Sequence, residues 1–508
     1  MKPLLVDSGF KIQDSSNLKL ETPVRALNNM GEELNKKIVT ATKWSSVTEI
    51  AAKLVAPVTT MLLARILTPD AFGVLVTVMM VISFAEIFTD AGFQKFLIQH
   101  EFESDEELYQ STNVAFWTNL VFSLLIWGLI IIFSQPIANL VGSPNESTEI
   151  AVAGCCIPLA AFSSIQMALY KRGFDFKTLF YVRIVGVLIP LFVTVPLALY
   201  FRNCWALILG VIAQNFSNAL LLTLKSPWKP NRFYSFAKLK EMFSFSMWSM
   251  IESVSIWLTS YVDLFIVGRM LSPHYLGLYR TSITTVGQIN SVVTSATTPI
   301  LYSSLSRLQN DPEEFKNMFF KFQKLVGMLV IPLGMIIYLF RDFITAILLG
   351  PQWAEAAYFI GLWGLTGALT IVFSHYSSEV FRALGKPKLS VLVQVLHILF
   401  LAPIVWHYVT DDYDTLCFAR ALVRLIMVSV VVLYYCTNIS LWEMVKNVFH
   451  SLLVTLTSAF IISIFPFTDS YFLNIAYLLL FLTIYILGIL AFPEERKLFI
   501  DFCKRLKK

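Results

Sequence analysis

Apolar stretches of membrane-crossing length recur fourteen times along this chain, and no other feature restricts its fold as strongly. A helix needs roughly 20 apolar residues to span the hydrocarbon core, because lipid offers no partner for an unsatisfied backbone group. Windows of that size place spans near 44–67, 72–94, 109–134, 149–170, 178–200 and 204–224, then near 241–268, 274–302, 318–340, 354–381, 388–409, 413–436, 445–465 and 470–492. Fourteen such spans need about 280 residues, and 56% of the 508 residues are hydrophobic while only 14% are charged. Soluble domains carry about 25% charge, so an ordinary soluble enzyme is excluded. The expected fold is all-α: a polytopic protein with the bilayer as its main surroundings. The net charge of +5 is scattered in short runs between apolar stretches, which implies no nucleic-acid partner.

Six cysteines (Cys155, Cys156, Cys204, Cys417, Cys436 and Cys503) show no C-x-x-C pairing, so neither a disulfide framework nor a metal site is expected. The polar run at 1–43 reads as a cytoplasmic tail, since Asp7 interrupts the short apolar run that a secretory signal would need. The segments that follow are a first lobe at 44–224, a basic cytoplasmic linker at 225–240, a second lobe at 241–436, two further helices within 437–492 and a basic tail at 493–508. Orientation follows from Lys and Arg, which favour the cytoplasmic side. With both termini inside, the outer loops hold only Arg65, Arg202, Arg269 and Arg341.

The two lobes share an internal repeat. LLARILTPDAFGVL (62–75) recurs as IVGRMLSPHYLGLY (266–279), an offset of 204 that aligns Arg65 with Arg269, Pro69 with Pro273 and Gly73 with Gly277. Each copy reads as a local instruction: Arg meets the negative end of one helix, Thr68 or Ser272 caps the next, and Pro takes its first position. QPIANLVGSPNE (135–146) and RDFITAILLGPQ (341–352) keep a similar offset. Six spans separate the copies, so the lobes share an orientation and a pseudo-twofold axis along the membrane normal, as in transporters with a central site.

Charges within or at the shoulders of these spans carry the functional signal: Glu49, Lys53, Glu86, Asp90, Glu252, Asp263, Arg280, Arg420 and Arg424 among them. A charge facing lipid at mid-span costs about 2.5–3.5 kcal/mol on the insertion scale, so these side chains are expected to face protein or water. Ser46, Glu49, Lys53, Pro57 and Thr60 fall on one helical face, and Arg280, Thr284, Gln288, Ser291, Ser295 and Thr298 form a polar stripe along another helix. The candidate substrate-binding residues are Lys53, Arg280, Glu49, Gln288, Arg420 and Arg424. Glu86, Asp90, Glu252 and Asp263 either bind a coupling cation or balance the arginines. Arg420 and Arg424, one turn apart, need an anion or a carboxylate nearby.

The strings LLARILTPDAFGVLVTVMMVISFAEIFTDAGFQKFLIQ, DLFIVGRMLSPHYLGLYR, TPILYSSLSRLQNDPEEF and LLGPQW resemble the Wzx-type polysaccharide flippases, with teichuronic-acid and lipopolysaccharide exporters among them, of the multidrug/oligosaccharidyl-lipid/polysaccharide exporter superfamily. The resemblance runs from about residue 40 to 440. It implies two six-helix lobes around a V-shaped cleft, two added C-terminal helices, a bacterial plasma-membrane location and alternating-access transport of undecaprenyl-diphosphate-linked oligosaccharide. It also implies that cavity cations, matched here by Lys53 and Arg280, receive the diphosphate, and that glycosyltransferases and a polymerase of the same pathway are partners. The long segment at 1–43 departs from the family pattern.

Two other classes compete. A drug/cation antiporter of the same superfamily would want an acidic or apolar pocket, against which Lys53 and Arg280 argue. A membrane glycosyltransferase or polymerase would use a D-x-D pattern such as that in DDYD (411–414), which also reads as a solvated acidic turn. No phosphate-binding loop, zinc-protease motif or nucleophile elbow is present, so no catalytic residue, cofactor or metal is expected.

Overall fold

The computed structural model describes residues 53, 55–90, 92–226, 228–386, 388–466 and 470–506, without side chains for 90, 244–249, 251, 252, 499 and 501–506. The segment at 1–43 and the first part of the first expected span therefore lie outside the described residues. Along the chain the main helices are α1 (Val55–Ile66), α2 (Pro69–Asp90), α3 (Asp105–Ile132), α4 (Ser147–Arg172), α5 (Phe176–Phe201), α6 (Cys204–Lys225) and α7 (Phe236–Met270). They continue with α8 (Pro273–Arg307), α9 (Pro312–Leu339), α10 (Pro351–Ala383), α11 (Lys388–Tyr408), α12 (Tyr413–Thr437), α13 (Leu441–Asn447 and Phe449–Ser463) and α14 (Tyr471–Leu490). No strand occurs among the described residues.

Among those residues ten helices are long and apolar enough to cross a membrane, or eleven if the two parts of α13, bent by 60°, form one span. Helices α1, α7 and α8 are not in that set, so length and apolarity alone do not deliver the expected fourteen. The stripe of Ser, Thr and Gln that makes α8 a functional candidate is also what lowers its apolarity.

Helix starts are fixed locally, as the unsatisfied N–H groups of a first turn require. Ser104, Asp175, Asn203, Asp311 and Asp412 each accept a backbone N–H within the turn they open, and Ser440 with Glu443 forms a reciprocal capping box. Three expectations change. Ser272 makes no side-chain cap bond, although Pro273 does open α8. The linker ends early, because α7 begins at Phe236. The C-terminal segment is also more than a basic tail: Pro493–Leu506 is helical, with Glu494 bonded to Lys324 at 2.7 Å and Glu495 to His450 at 2.8 Å.

Burial separates lipid-facing from packed helices. The fifth helix of each lobe, α5 and α11, is only 17% and 11% buried, whereas α10 is 78% buried at the centre of the second lobe. Helices α13 and α14 cover α9, where Tyr485 donates to Met328 O at 2.8 Å.

The repeat copies meet face to face. A methyl group at Gly73 would stand 1.8 Å from Pro273 O, and one at Gly277 would stand 1.9 Å from Pro69 O, so only glycine permits this approach of backbones on α2 and α8. The arginines do not stay at their own helix ends, as the sequence suggests. Arg65 reaches across to donate to Ile347 O at 2.6 Å, and Arg269 donates to Leu140 O at 2.7 Å. Their acceptors lie on the second pair of sequence landmarks, so each lobe holds the other through equivalent residues. Gln352 and Trp353 add bonds to Ala64 O at 2.6 and 2.8 Å, and Gly142, at φ +82°, lies against Gly268. His274 bridges Asp70 and Glu355 at 3.2 and 3.4 Å. Together these contacts clasp the lobes at one end of the bundle.

Candidate functional site

Below the clasp, α1 and α8 run antiparallel along the seam, and Gln288 meets Thr60 at 3.5 Å. A cavity of 360 Å³ opens there, lined by Pro57, Thr60, Met61, Thr285, Gln288 and Leu333 among others, and mostly apolar. Lys53 lies seven residues before Thr60, and Arg280 eight residues before Gln288. At 1.5 Å per residue they sit about 10 Å away from the clasp and about 12 Å toward it, hence about 22 Å apart along the bundle. The structure does not bring these two cations together. Both are half-buried.

Arg280 belongs to an aromatic group between the lobes. Its guanidinium lies 5.9 Å from the Tyr261 ring centroid, Tyr261 stacks on Trp257 at 5.2 Å, and Trp257 donates to Ser83 on α2 at 3.0 Å. Trp257 has one face taken by Tyr261 and packs against Phe84 at 4.8 Å.

The acidic candidates divide. Glu49 lies outside the described residues, as do the side chains of Asp90 and Glu252. Glu86 is half-buried on α2. Asp263 has both oxygens engaged: Leu264 N donates to Oδ1 at 2.9 Å, while Tyr279 OH and Arg420 Nε donate to Oδ2 at 3.0 and 2.9 Å. Asp263 thus sits in direct contact with Arg420, the geometry that balance of an arginine calls for. A buried carboxylate in such a network is held by mutual satisfaction of charge and hydrogen bonds.

Arg420 and Arg424 lie in the second lobe and not on the seam between α1 and α8. Arg420 is buried, 8% exposed, and its Nη1 has no hydrogen-bond partner. Arg424 stacks 3.9 Å from the Trp363 ring centroid and donates to Trp363 O at 3.1 Å, and it forms no ion pair among the described residues. Both arginines line a hollow of 230 Å³ with His397, Gln394, Ser374 and Ser429. The surrounding backbone is irregular: a π-turn at Ile371–His375, a 3-10 turn at Arg424–Ile426 and a left-handed Met427 at φ 46°. Such departures concentrate at functional sites. Trp363 and Gly367 were invisible as site residues in the sequence, because an aromatic or glycine in an apolar helix reads as packing.

The D-x-D pattern is spent on structure. Asp412 accepts from Thr415 N at 2.9 Å and from Thr415 Oγ1 at 2.6 Å, which caps α12 and holds the carboxyl below its ordinary pKa. No group of three or more His, Cys, Asp or Glu side chains suited to a metal occurs among the described residues.

Comparison with known proteins gives the same picture of the fold. The chain is 25% identical to the succinoglycan biosynthesis transport protein ExoT of Rhizobium meliloti, over 67% of this chain and 69% of that one. It is 22% identical to the teichuronic acid biosynthesis protein TuaB of Bacillus subtilis, over 70% and 73% respectively. Among solved structures, the lipid II flippase MurJ in an inward closed conformation superposes with a TM-score of 0.72 at 13% identity, covering 89% of this chain and 98% of that one. An inward-facing multidrug resistance transporter of the MATE family superposes at 0.55 with 12% identity, covering 80% and 98%. The family model described as polysaccharide biosynthesis protein matches residues 62–358, more than half of the sequence, and this chain belongs to that family.

Proposed function

We propose that this protein is a flippase that carries undecaprenyl-diphosphate-linked oligosaccharide from the cytoplasmic to the outer leaflet by alternating access, for the synthesis of a cell-surface polysaccharide. The observation that carries this reading is the reciprocal clasp: two equivalent lobes joined at one end over a seam that holds polar and cationic side chains at membrane depth. A transporter needs such a closable pair, and a membrane enzyme does not. Relatives named for succinoglycan transport and teichuronic acid biosynthesis support the cargo class.

Moving a diphosphate through hydrocarbon would desolvate about two negative charges, a cost that charge-assisted hydrogen bonds from Lys or Arg offset. Lys53 and Arg280 lie too far apart to hold one diphosphate together. In this reading they are successive stations, Lys53 on the entry side and Arg280 nearer the clasp, with Gln288 between them. The lipid tail stays in the bilayer, and the seam passes the headgroup. The excess of Lys and Arg in alternate loops supports cytoplasmic termini, which makes the clasp the outer gate of a plasma-membrane protein. The protein performs no bond-making chemistry here, and a glycosyltransferase and a polymerase would supply and consume its cargo. Glu49, Glu86, Asp90 and Glu252 stay candidates for substrate contact or cation coupling.

Export of lipid-linked oligosaccharide in cells carrying Lys53→Ala or Arg280→Ala tests the assignment. Each substitution is expected to lower export at least ten-fold with protein levels unchanged. Full export in both would remove these residues from the path, and wild-type export of a cationic dye without glycan export would favour the antiporter.

A further inference from the structure

Around one hollow of the second lobe, two arginines meet a single carboxylate among the described residues. Asp263 pairs with Arg420 and also accepts from Tyr279 OH and Leu264 N. Arg424 is left as a full cation whose described partners are the Trp363 ring and one carbonyl. Arg424 is half-buried, so part of its hydration is given up with no opposite charge to replace it. The arrangement becomes favourable when an anion arrives.

The donors are arranged for one. Arg420 Nη1 is buried without a partner beside the hollow. Gln394, His397, Ser374 and Ser429 border the same 230 Å³ space. Beside Arg424, Gly367 leaves a notch: a methyl group there would stand 3.0 Å from Asn290 Nδ2, 3.2 Å from Arg424 Nη1 and 3.5 Å from Nη2. The missing side chain lets the guanidinium settle against α10, and it brings Asn290 of α8 up to the same point. The hollow is larger than a single oxyanion and far smaller than a lipid-linked oligosaccharide, so one charged group fits it.

We propose that this hollow is an oxyanion-binding subsite of the second lobe, in which Arg420 and Arg424 hold a carboxylate or phosphate group of the cargo against the Trp363 side of the cavity. The planar fork of arginine suits both anions, binding them through paired N–H donors. The subsite is separate from Lys53 and from the seam cavity. An acidic sugar would bring a carboxylate, and the lipid carrier would bring its diphosphate. The inference rests on the flippase reading only for the origin of the anion.

The test is calorimetric titration of the purified full-length protein, in nanodiscs of uncharged phosphatidylcholine, with glucuronate and with pyrophosphate. Wild type is expected to bind at least one of them saturably. Arg424→Gln is expected to weaken that binding ten-fold or more, Arg424→Lys to recover part of it, and the exposed Arg183→Gln to leave it unchanged. If Arg424→Gln also lowers the melting temperature without ligand, Gly367→Val decides, since it fills the notch without removing a donor and is expected to weaken binding as well. Binding of glucuronate alone assigns the subsite to an acidic sugar, and binding of pyrophosphate alone assigns it to the carrier. No saturable binding of either, or undiminished binding in the variants, overturns the proposal. Wild-type binding without glycan export would discard the flippase reading and keep the subsite; export without binding would do the reverse.

Discussion

The two lobes are equivalent at the clasp and unlike inside. Arg65 and Arg269 make the same cross-lobe bond in opposite directions, and Gly73 and Gly277 admit each other's proline turn. Applying the repeat offset of 204 to the second lobe's charged network, Asp263 corresponds to Thr59, Tyr279 to Leu75 and Arg280 to Val76. Aligning the capping residues Asn203 and Asp412 places Val211 and Asn215 opposite Arg420 and Arg424. In the first lobe Asn215 donates to Val211 O at 3.2 Å, and Gln166 pairs with Thr223 at 2.8 Å. One backbone frame thus carries two chemistries. The shared part is what two lobes need in order to close on each other, and the unshared part gives the second lobe a buried network of Asp263, Tyr279 and Arg420.

The comparison breaks most completely if the glycine contact is removed. Gly73→Ala is expected to abolish export, because a Cβ 1.8 Å from a carbonyl oxygen forces the lobes apart at the clasp. Labelling of an engineered cysteine beneath the clasp, by a reagent that cannot cross the membrane, should rise accordingly. Gly277→Ala should do the same, and a difference between the two would show that the clasp is not reciprocal.

Next in size is the charge asymmetry. Asp263→Ala leaves Arg420 buried and uncompensated, which should cost about 3–5 kcal/mol in denaturant unfolding of the reconstituted protein. The corresponding Thr59→Ala, which removes only a bond to Val55 O, should cost about 1 kcal/mol. Equal losses would erase the distinction between the lobes.

Removing either clasp arginine should weaken closure by about 1.5–3 kcal/mol, as for a hydrogen bond from a charged group. Arg65→Ala and Arg269→Ala should therefore raise accessibility from the clasp end by similar factors. Their double mutant should show little coupling, since the two bonds share no residue.

The smallest effect is a pH dependence at the cap of α12. The folded pKa of Asp412 is below its ordinary value through bonds from Thr415, so its stabilising contribution is present above the ordinary carboxylate pKa and is lost as pH falls through the lowered one. Asn203, the matching cap of α6, has no charge to titrate, and Asp412→Asn should remove the dependence while keeping the cap. Acid unfolding curves of the two proteins check it.

Much of this fold is legible along the chain. Apolar runs locate most helices, caps such as Ser104 and Asp175 mark where they begin, and the repeated Arg, Pro and Gly identify the segments that would meet. The roles of those residues are less legible. Arg269 looks like a partner for its own helix end until the Leu140 carbonyl lies 2.7 Å away. Gly361, Gly364 and Gly367, three residues apart on α10, look alike, yet Gly364 packs on Ile337 while Gly367 faces Arg424 and Asn290. Lys53 and Arg280 looked like one site and lie at different depths.

Sequence by itself determined that this chain lives in a bilayer as an all-helical protein, because hydrophobicity, backbone satisfaction and capping act through near neighbours. It also determined that the protein has two copies of one turn, since repetition is a property of order along the chain. Only the tertiary structure decided that the copies grip each other, that Asp263 pairs with Arg420, and that Arg424 meets no carboxylate among the described residues. Those outcomes depend on distances between residues more than a hundred positions apart, which helix packing sets and no local pattern encodes.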